Sequence, residues 1–205
     1  MSSPRFAPAG LLIRAPRGYG TPIRLAVDGG GAADPQGPLD AWLVTDEYAE
    51  LMPAIRRHAR PLGVEPADNR FADGALVVRP RRVEHTSHPT YAYEIHWRGR
   101  RVVWAPEVWK LPGWVAGADL LFADAAGWSR PIPFRGGAGG HVAALDVAER
   151  ARALGVRQLV FAHVGRPTIR AMDRGLAPTF GTIGRDGQSF RVPPRRQRSD
   201  RTIGS

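Results

Sequence analysis

Cysteine is absent from this sequence. That excludes disulfides and thiolate metal ligands, and it suits a reducing, cytoplasmic location. Lysine is almost absent too: Lys110 stands alone, so the positive charge rests on arginine. There is no apolar run of about eighteen residues, so no membrane-spanning helix and no membrane partner are expected. The opening stretch "MSSPRFAPAGLLIRAPRG" lacks a basic start followed by an apolar signal core. Export is therefore not expected, and the location read from the sequence is cytoplasmic.

What is present is enough for one substantial core. The chain has 205 residues, of which 43% are hydrophobic, and one soluble domain is the natural reading. The net charge is +10 and the pI about 11.3. Abundant Ala, Gly, Pro and Arg suit a GC-rich genome as well as a basic face. The charge is concentrated in "RPRR" at 79–82 and in "RVPPRRQRSDR" near the C-terminus. This pattern implies weak binding to polyanions without specific recognition. The domain is expected over residues 1–190, followed by a basic, disordered tail over 191–205.

Strands and helices alternate along the chain. "GLLIRA" and "IRLAVDGGG" read as strands, the second ending at Asp28 in a glycine turn that allows close approach to the backbone. "GPLDAWLVT" is a further strand, and the spacing of Leu51, Ala54, Ile55 and Ala59 predicts a helix over "EYAELMPAIRRHARPLG". "ALVVRPRRVEHT", "TYAYEIHW" and "RVVWAPE" read as strands, the last two joined by an "RGR" hairpin turn. "GADLLFADAAGW" is another strand, ending at Asp124. A glycine-rich stretch then leads into a helix in "GGAGGHVAALDVAERARALG", and "VRQLVFAHVG" is a buried strand ending at His163. The pattern indicates a layered α/β domain.

Apolar strands repeatedly stop at an ionisable side chain: Asp28, Asp46, His85, Glu107, Asp124 and His163. Strand ends are where α/β folds gather ligands and catalytic groups. Each of these residues alone is as well explained by a turn, a cap or a structural hydrogen bond. Together, imidazole and carboxylate in one cleft suit Zn²⁺, Mn²⁺ or Fe. His141 follows "GGAGG" and is expected to open a helix, where backbone N–H groups and the helix dipole favour an anion.

In order and spacing, "VEHTSHPTYAYEI", "RVVWAPE", "ADLLFADA" and "GGHVAALDVAERARALGVRQLVFAHVG" resemble the second half of the metallo-β-lactamase fold. The likeness is to its phosphodiesterase and ribonuclease Z-like branch, over roughly residues 10–175. It implies a four-layer αββα sandwich with a two-metal site at the sheet edge; the N-terminus looks short, so the first strand is expected to be missing. By this resemblance His85, Glu107 and His163 take metal-ligand positions, with Glu107 as the bridging carboxylate. His141 takes the place of the histidine that assists at the scissile phosphate. Asp124 falls where the family often has a supporting acid.

The main signature of that family, Thr-His-x-His-x-Asp-His, falls on "LVTDEYAEL". There Asp46 and Tyr48 replace two histidines, Glu50 replaces the aspartate and Leu51 replaces the last histidine. The candidate metal set is therefore Asp46, Glu50, His85, Glu107 and His163, enough for one divalent ion, Zn²⁺ or Mn²⁺, or for none. Two functions follow. One is an atypical metal-dependent hydrolase of a phosphoester or other small anionic ester, with His141 as the catalytic group. The other is a catalytically inactive protein of the same fold that binds a ligand, a partner or RNA. A homodimer is compatible with either.

Overall fold

A computed structural model of the chain describes residues 5–31 and 35–195. Three strands open the chain: β1 (Gly10–Ala15), β2 (Ile23–Asp28) and β3 (Ala41–Leu43). A turn leads to helix α1 (Met52–Ala59), and β4 (Phe71–Asp73), β5 (Leu76–Val83), β6 (Thr90–Trp97) and β7 (Arg100–Ala105) follow as a meander. Next come β8 (Leu120–Ala125), the short β9 (Ile132–Pro133) and β10 (Gly140–His141), and helix α2 (Ala144–Ala153). Strand β11 (Leu159–Val164), helix α3 (Arg166–Asp173) and β12 (Thr182–Ile183) complete the order.

The strands form a three-stranded sheet, β1-β2-β3, and a seven-stranded sheet, β12-β11-β8-β7-β6-β5-β4; β9 and β10 pair separately. In the large sheet β4 to β7 are antiparallel, as hairpin connections require, while β7, β8, β11 and β12 run parallel. Alternation along the strands sends Tyr93 and Ile95 of β6 inward toward the small sheet, and Glu94 and His96 outward.

Three apolar cores separate four layers. Met52, Ile55 and Ala59 of α1 pack on Ala26 and Trp42 of the small sheet. Leu25 and Val27 face Val78, Tyr93, Trp104 and Val160 between the sheets. Val147, Ala148 and Ala151 of α2 cover Leu121, Ala123 and Phe161 on the far side. This is the αββα order. The helix expected over "EYAELMPAIRRHARPLG" is shorter than its pattern: α1 begins at Met52, beside Pro53, and ends in a 3₁₀ turn that Gly63 closes at φ 70°. Of the expected tail, Val192 packs on the inter-sheet core, and Arg195 N donates to Arg98 O at 3.1 Å. Residues 196–205 lie outside the described residues. Among the described residues no helix is long and apolar enough to cross a membrane.

Leu121 is fully buried between the large sheet and α2. Leu121→Ala is expected to cost about 2–5 kcal/mol, read as a lower urea midpoint.

Candidate functional site

The strand ends of both sheets meet at one edge. The turn after β2 holds Asp28 at φ 53°, followed by Gly29 and Gly30 at φ 99° and 91°. Its Oδ1 accepts from Thr45 N at 2.7 Å and Thr45 Oγ1 at 2.9 Å, and its Oδ2 accepts from Trp104 Nε1 at 2.6 Å. Burial pushes the Asp28 carboxyl up to about 6, against the pull of these three donors. Asp28 therefore clamps β2, the end of β3 and β7 together. Tyr91 N to Thr45 O, 2.8 Å, and Tyr93 Oη to Val44 O, 2.9 Å, join the two sheets at the same edge.

On that edge Glu107 follows β7 and stands between two imidazoles. Its Oε1 is 3.1 Å from His163 Nδ1, and its Oε2 is 3.4 Å from His85 Nε2. His85 Nδ1 is 2.9 Å from Gly140 O, a carbonyl that can only accept, so Nδ1 carries the proton. Its Nε2 then points at the carboxylate, and two acceptors can face each other only with a cation between them, either a proton or a metal ion. Burial alone would raise Glu107, but His163 and His85 hold it well below the usual carboxylate range. Burial would lower both histidines; Glu107 outweighs it, raising His85 and bringing His163 to about 9. Without a metal ion, Glu107 thus favours the protonated form of both histidines.

His141 lies beside it, its ring stacked on His163 at 5.1 Å between centroids and 23° between planes. The sequence places it at the opening of a helix, but it sits in β10, and α2 starts three residues later. Pairing of Gly140 and His141 with Pro133 and Ile132 keeps the chain extended there, so helix-end donors do not surround His141. Instead its Nδ1 donates to Oδ2 of the fully buried Asp124, 2.8 Å away, which also accepts from Val108 N and Ala126 N at 3.2 and 2.8 Å. The dyad fixes the tautomer and leaves Nε2 to face the cleft. Phe134 packs edge-on against both His85 and His141.

The acidic stretch splits. Asp46 is buried and close enough to feel His85 and Glu107; burial raises its carboxyl, while the Tyr48 amide and His88 oppose this. Glu50 is exposed on the turn before α1, and Tyr48 is 73% exposed. Leu51, at the last histidine position of the resembled signature, packs into the core under α1. A residue not singled out in the sequence joins here: His88 Nδ1 is 3.3 Å from Asp46 Oδ1, and its ring is 5.0 Å from that of Tyr48. The signal for it was the His-x-x-His spacing within "VEHTSHPT". Of the tryptophans, Trp104 is inter-sheet core, Trp114 and Trp128 pack on the outer core, and Trp109 lines a cavity of about 350 Å³ beside His85 and His88.

This donor set does not fit a two-ion centre, because Leu51 offers no ligand and Tyr48 and Glu50 stand at the surface. What remains close together is Glu107, with His85 Nε2 beside one carboxylate oxygen and His163 Nδ1 beside the other. As placed, no group of three or more His, Asp or Glu among the described residues is disposed around a metal ion.

Three outcomes test the geometry. A Cβ on Gly139 would fall 1.9 Å from His85 O, and its φ is +76°. Gly139→Ala is therefore expected to cost about 2 kcal/mol or more in urea melts and to displace His85. Asp28→Asn turns an acceptor into a donor facing Trp104 or Thr45, and about 1–3 kcal/mol should be lost. In metal-free protein, the contribution of His163 is complete below its unfolded pKa near 6.5 and lost as pH rises through about 9. That of Glu107 is present above its unfolded value and lost on acidification through its lowered pKa. Stability should therefore fall between pH 6.5 and 9, and Glu107→Gln should flatten that slope.

No family model matches the sequence, and no curated protein matches it. Solved structures do. The metallo-β-lactamase fold protein YhfI from Bacillus subtilis is 16% identical, with a TM-score of 0.60, over 91% of this chain and 94% of that one. A diphosphatase of the PhnP family is 14% identical with a TM-score of 0.61, covering 84% of this chain and 81% of its own. Zn²⁺-bound PqqB from Methylobacterium extorquens is 15% identical with a TM-score of 0.57, over 83% and 84%. At these identities the likeness is one of fold, and with the four layers and the edge centre it gives the result: this chain has the metallo-β-lactamase fold.

Proposed function

We propose that this chain is a hydrolase of a small anionic ester, a phosphoester foremost, working from an altered centre that takes at most one divalent ion. The observation that carries the reading is the convergence of His85, Glu107, His163 and the His141–Asp124 dyad on one edge, from strand ends far apart in the sequence. That one fold neighbour is a diphosphatase makes a phosphate ester the first substrate class to try.

Each group has a part. Asp124 holds the His141 ring so that Nε2 can deliver a proton to the leaving oxygen of the ester. The net charge of +10 favours the approach of an anion, and Arg82 lines the cavity beside His85. His85, Glu107, His163 and Asp46 are the residues that would hold a Zn²⁺ or Mn²⁺ ion. Such an ion would supply Lewis acidity and lower the pKa of water at the site. Glu50 is left out of this set because it is exposed on the turn before α1.

A second reading has its own observation: Leu51 is built into the α1 core where the resembled signature has a histidine. A centre that has given up that position suits a catalytically inactive protein binding a small anion.

The test is metal content by plasma mass spectrometry on protein purified without chelators, with His85→Ala and His163→Ala beside it, followed by turnover of a chromogenic phosphodiester. About one equivalent, lost in both variants, with turnover cut about 10²–10⁴-fold by His141→Ala, is the expected result. Two equivalents would overturn the one-ion centre. No metal and no turnover would leave the binding protein as the function.

A further inference from the structure

The large sheet has seven strands and the small sheet three, so much of the large sheet's inner face has no strand opposite it. Two segments that form no strand cover it instead. Residues 6–9 and 184–192 meet where Ala7 N donates to Asp186 Oδ2 at 3.0 Å. Phe190 in the second segment stands edge-on to Phe122 of β8, 5.3 Å between centroids and 83° between planes. Farther on, Pro193 O accepts from Arg100 Nε at 2.9 Å.

Segments without a ladder of their own do not fill the space as a strand would. Between them and the two sheets lies a cavity of about 790 Å³. That is the size of a small-molecule site. Its inner walls are largely apolar, with Leu11 and Ile13 from β1 and Trp97, Phe122, Ala162 and Phe190 on the facing side, while Arg14, Arg185, Asp186 and Arg191 also line it. Water in such a space finds few partners, so an apolar occupant is favoured.

One wall is polar. Asp28 lines the cavity, and its carboxylate has about four lone-pair positions. Thr45 N and Oγ1 occupy two on Oδ1, and Trp104 Nε1 occupies one on Oδ2. Among the described residues, one position on Oδ2 is left for a donor. A ligand that brought a second carboxylate there would meet like charge, whereas a hydroxyl or ammonium would complete the set.

We propose that this cavity binds a small apolar molecule with one hydrogen-bond-donating end, an aliphatic alcohol or amine in class, its tail along Leu11, Ile13 and Phe122 and its donor on Asp28. The site includes none of His85, Glu107, His141 and His163, although its Asp28 also frames their edge, and it does not depend on hydrolysis there. It accounts for a cavity that neither core packing nor the edge chemistry uses.

The test is calorimetric titration of the full chain with 1-octanol and with octanoate, repeated on Ala162→Leu, which adds side chain to the cavity wall. Saturable binding of one octanol per chain is expected, with octanoate at least tenfold weaker. Ala162→Leu should weaken octanol at least tenfold while melting as cooperatively as the parent. Should that variant fail to fold, Leu11→Phe on the half-buried β1 position takes its place. Equal binding of both compounds, non-saturable heats, or octanol binding that a folded filling variant leaves unchanged would overturn the site. So would a concentration-dependent dimer, seen by light scattering, that the filling variant dissolves without any octanol binding; the cavity would then belong to a second copy of the chain.

Discussion

A carboxylate set between two imidazole nitrogens, one of them with its proton already committed elsewhere, must share a cation. The functional edge of this protein is organised by that requirement. Gly140 O takes the Nδ1 proton of His85, so Nε2 has nothing to offer Glu107 but a lone pair. The electrostatic demand is met by protons in the metal-free chain and would be met as well by an ion. If the edge takes up an ion as proposed, protonation would compete with it for the same groups.

Holding that opposition in place takes backbone from several directions. Gly140 N donates to His85 O at 2.8 Å, Val142 N to Val108 O at 2.9 Å, and Trp109 N to Glu84 O at 2.6 Å. These bonds zip the glycine-rich loop and the segments after β5 and β7 into one wall. The loop approaches His85 so closely that only glycine fits at 139. On the opposite side, Asp28 does the equivalent with side-chain oxygens, gathering Thr45 and Trp104. The histidine centre is thus framed by one wall of main chain and one buried carboxylate.

Much of this was legible in the sequence because it follows from pattern. Alternation in "TYAYEIHW" gave β6 and its two faces, and the apolar runs ending at Asp124 and His163 gave the strands β8 and β11, whose parallel pairing only the structure shows. The order of "VEHT", "WAPE", "GGH" and "FAHVG" identified the fold and four residues that meet at its edge. The rest depended on tertiary pairing. His141 looked like the start of a helix because nothing local reveals that Gly140 and His141 pair with Pro133 and Ile132. Glu50 looked equivalent to Asp46, but a turn before α1 carries one to the surface while the other stays buried. His88 was passed over because its partner, Asp46, lies in a distant segment. The inter-sheet cavity has no sequence signal at all, since it comes from the mismatch in width between two sheets.

The parallel pairing of β8 with β11 carries a kinetic consequence. Asp124 and His163 are register partners across it, next to the bulge between Phe161 and His163. Strands joined through a loop, a ribbon and α2 must find each other late, after the antiparallel meander β4 to β7 has closed through local turns. The chemistry of the edge therefore rests on long-range pairing, since the register of β8 with β11 is what sets Asp124 beside His163.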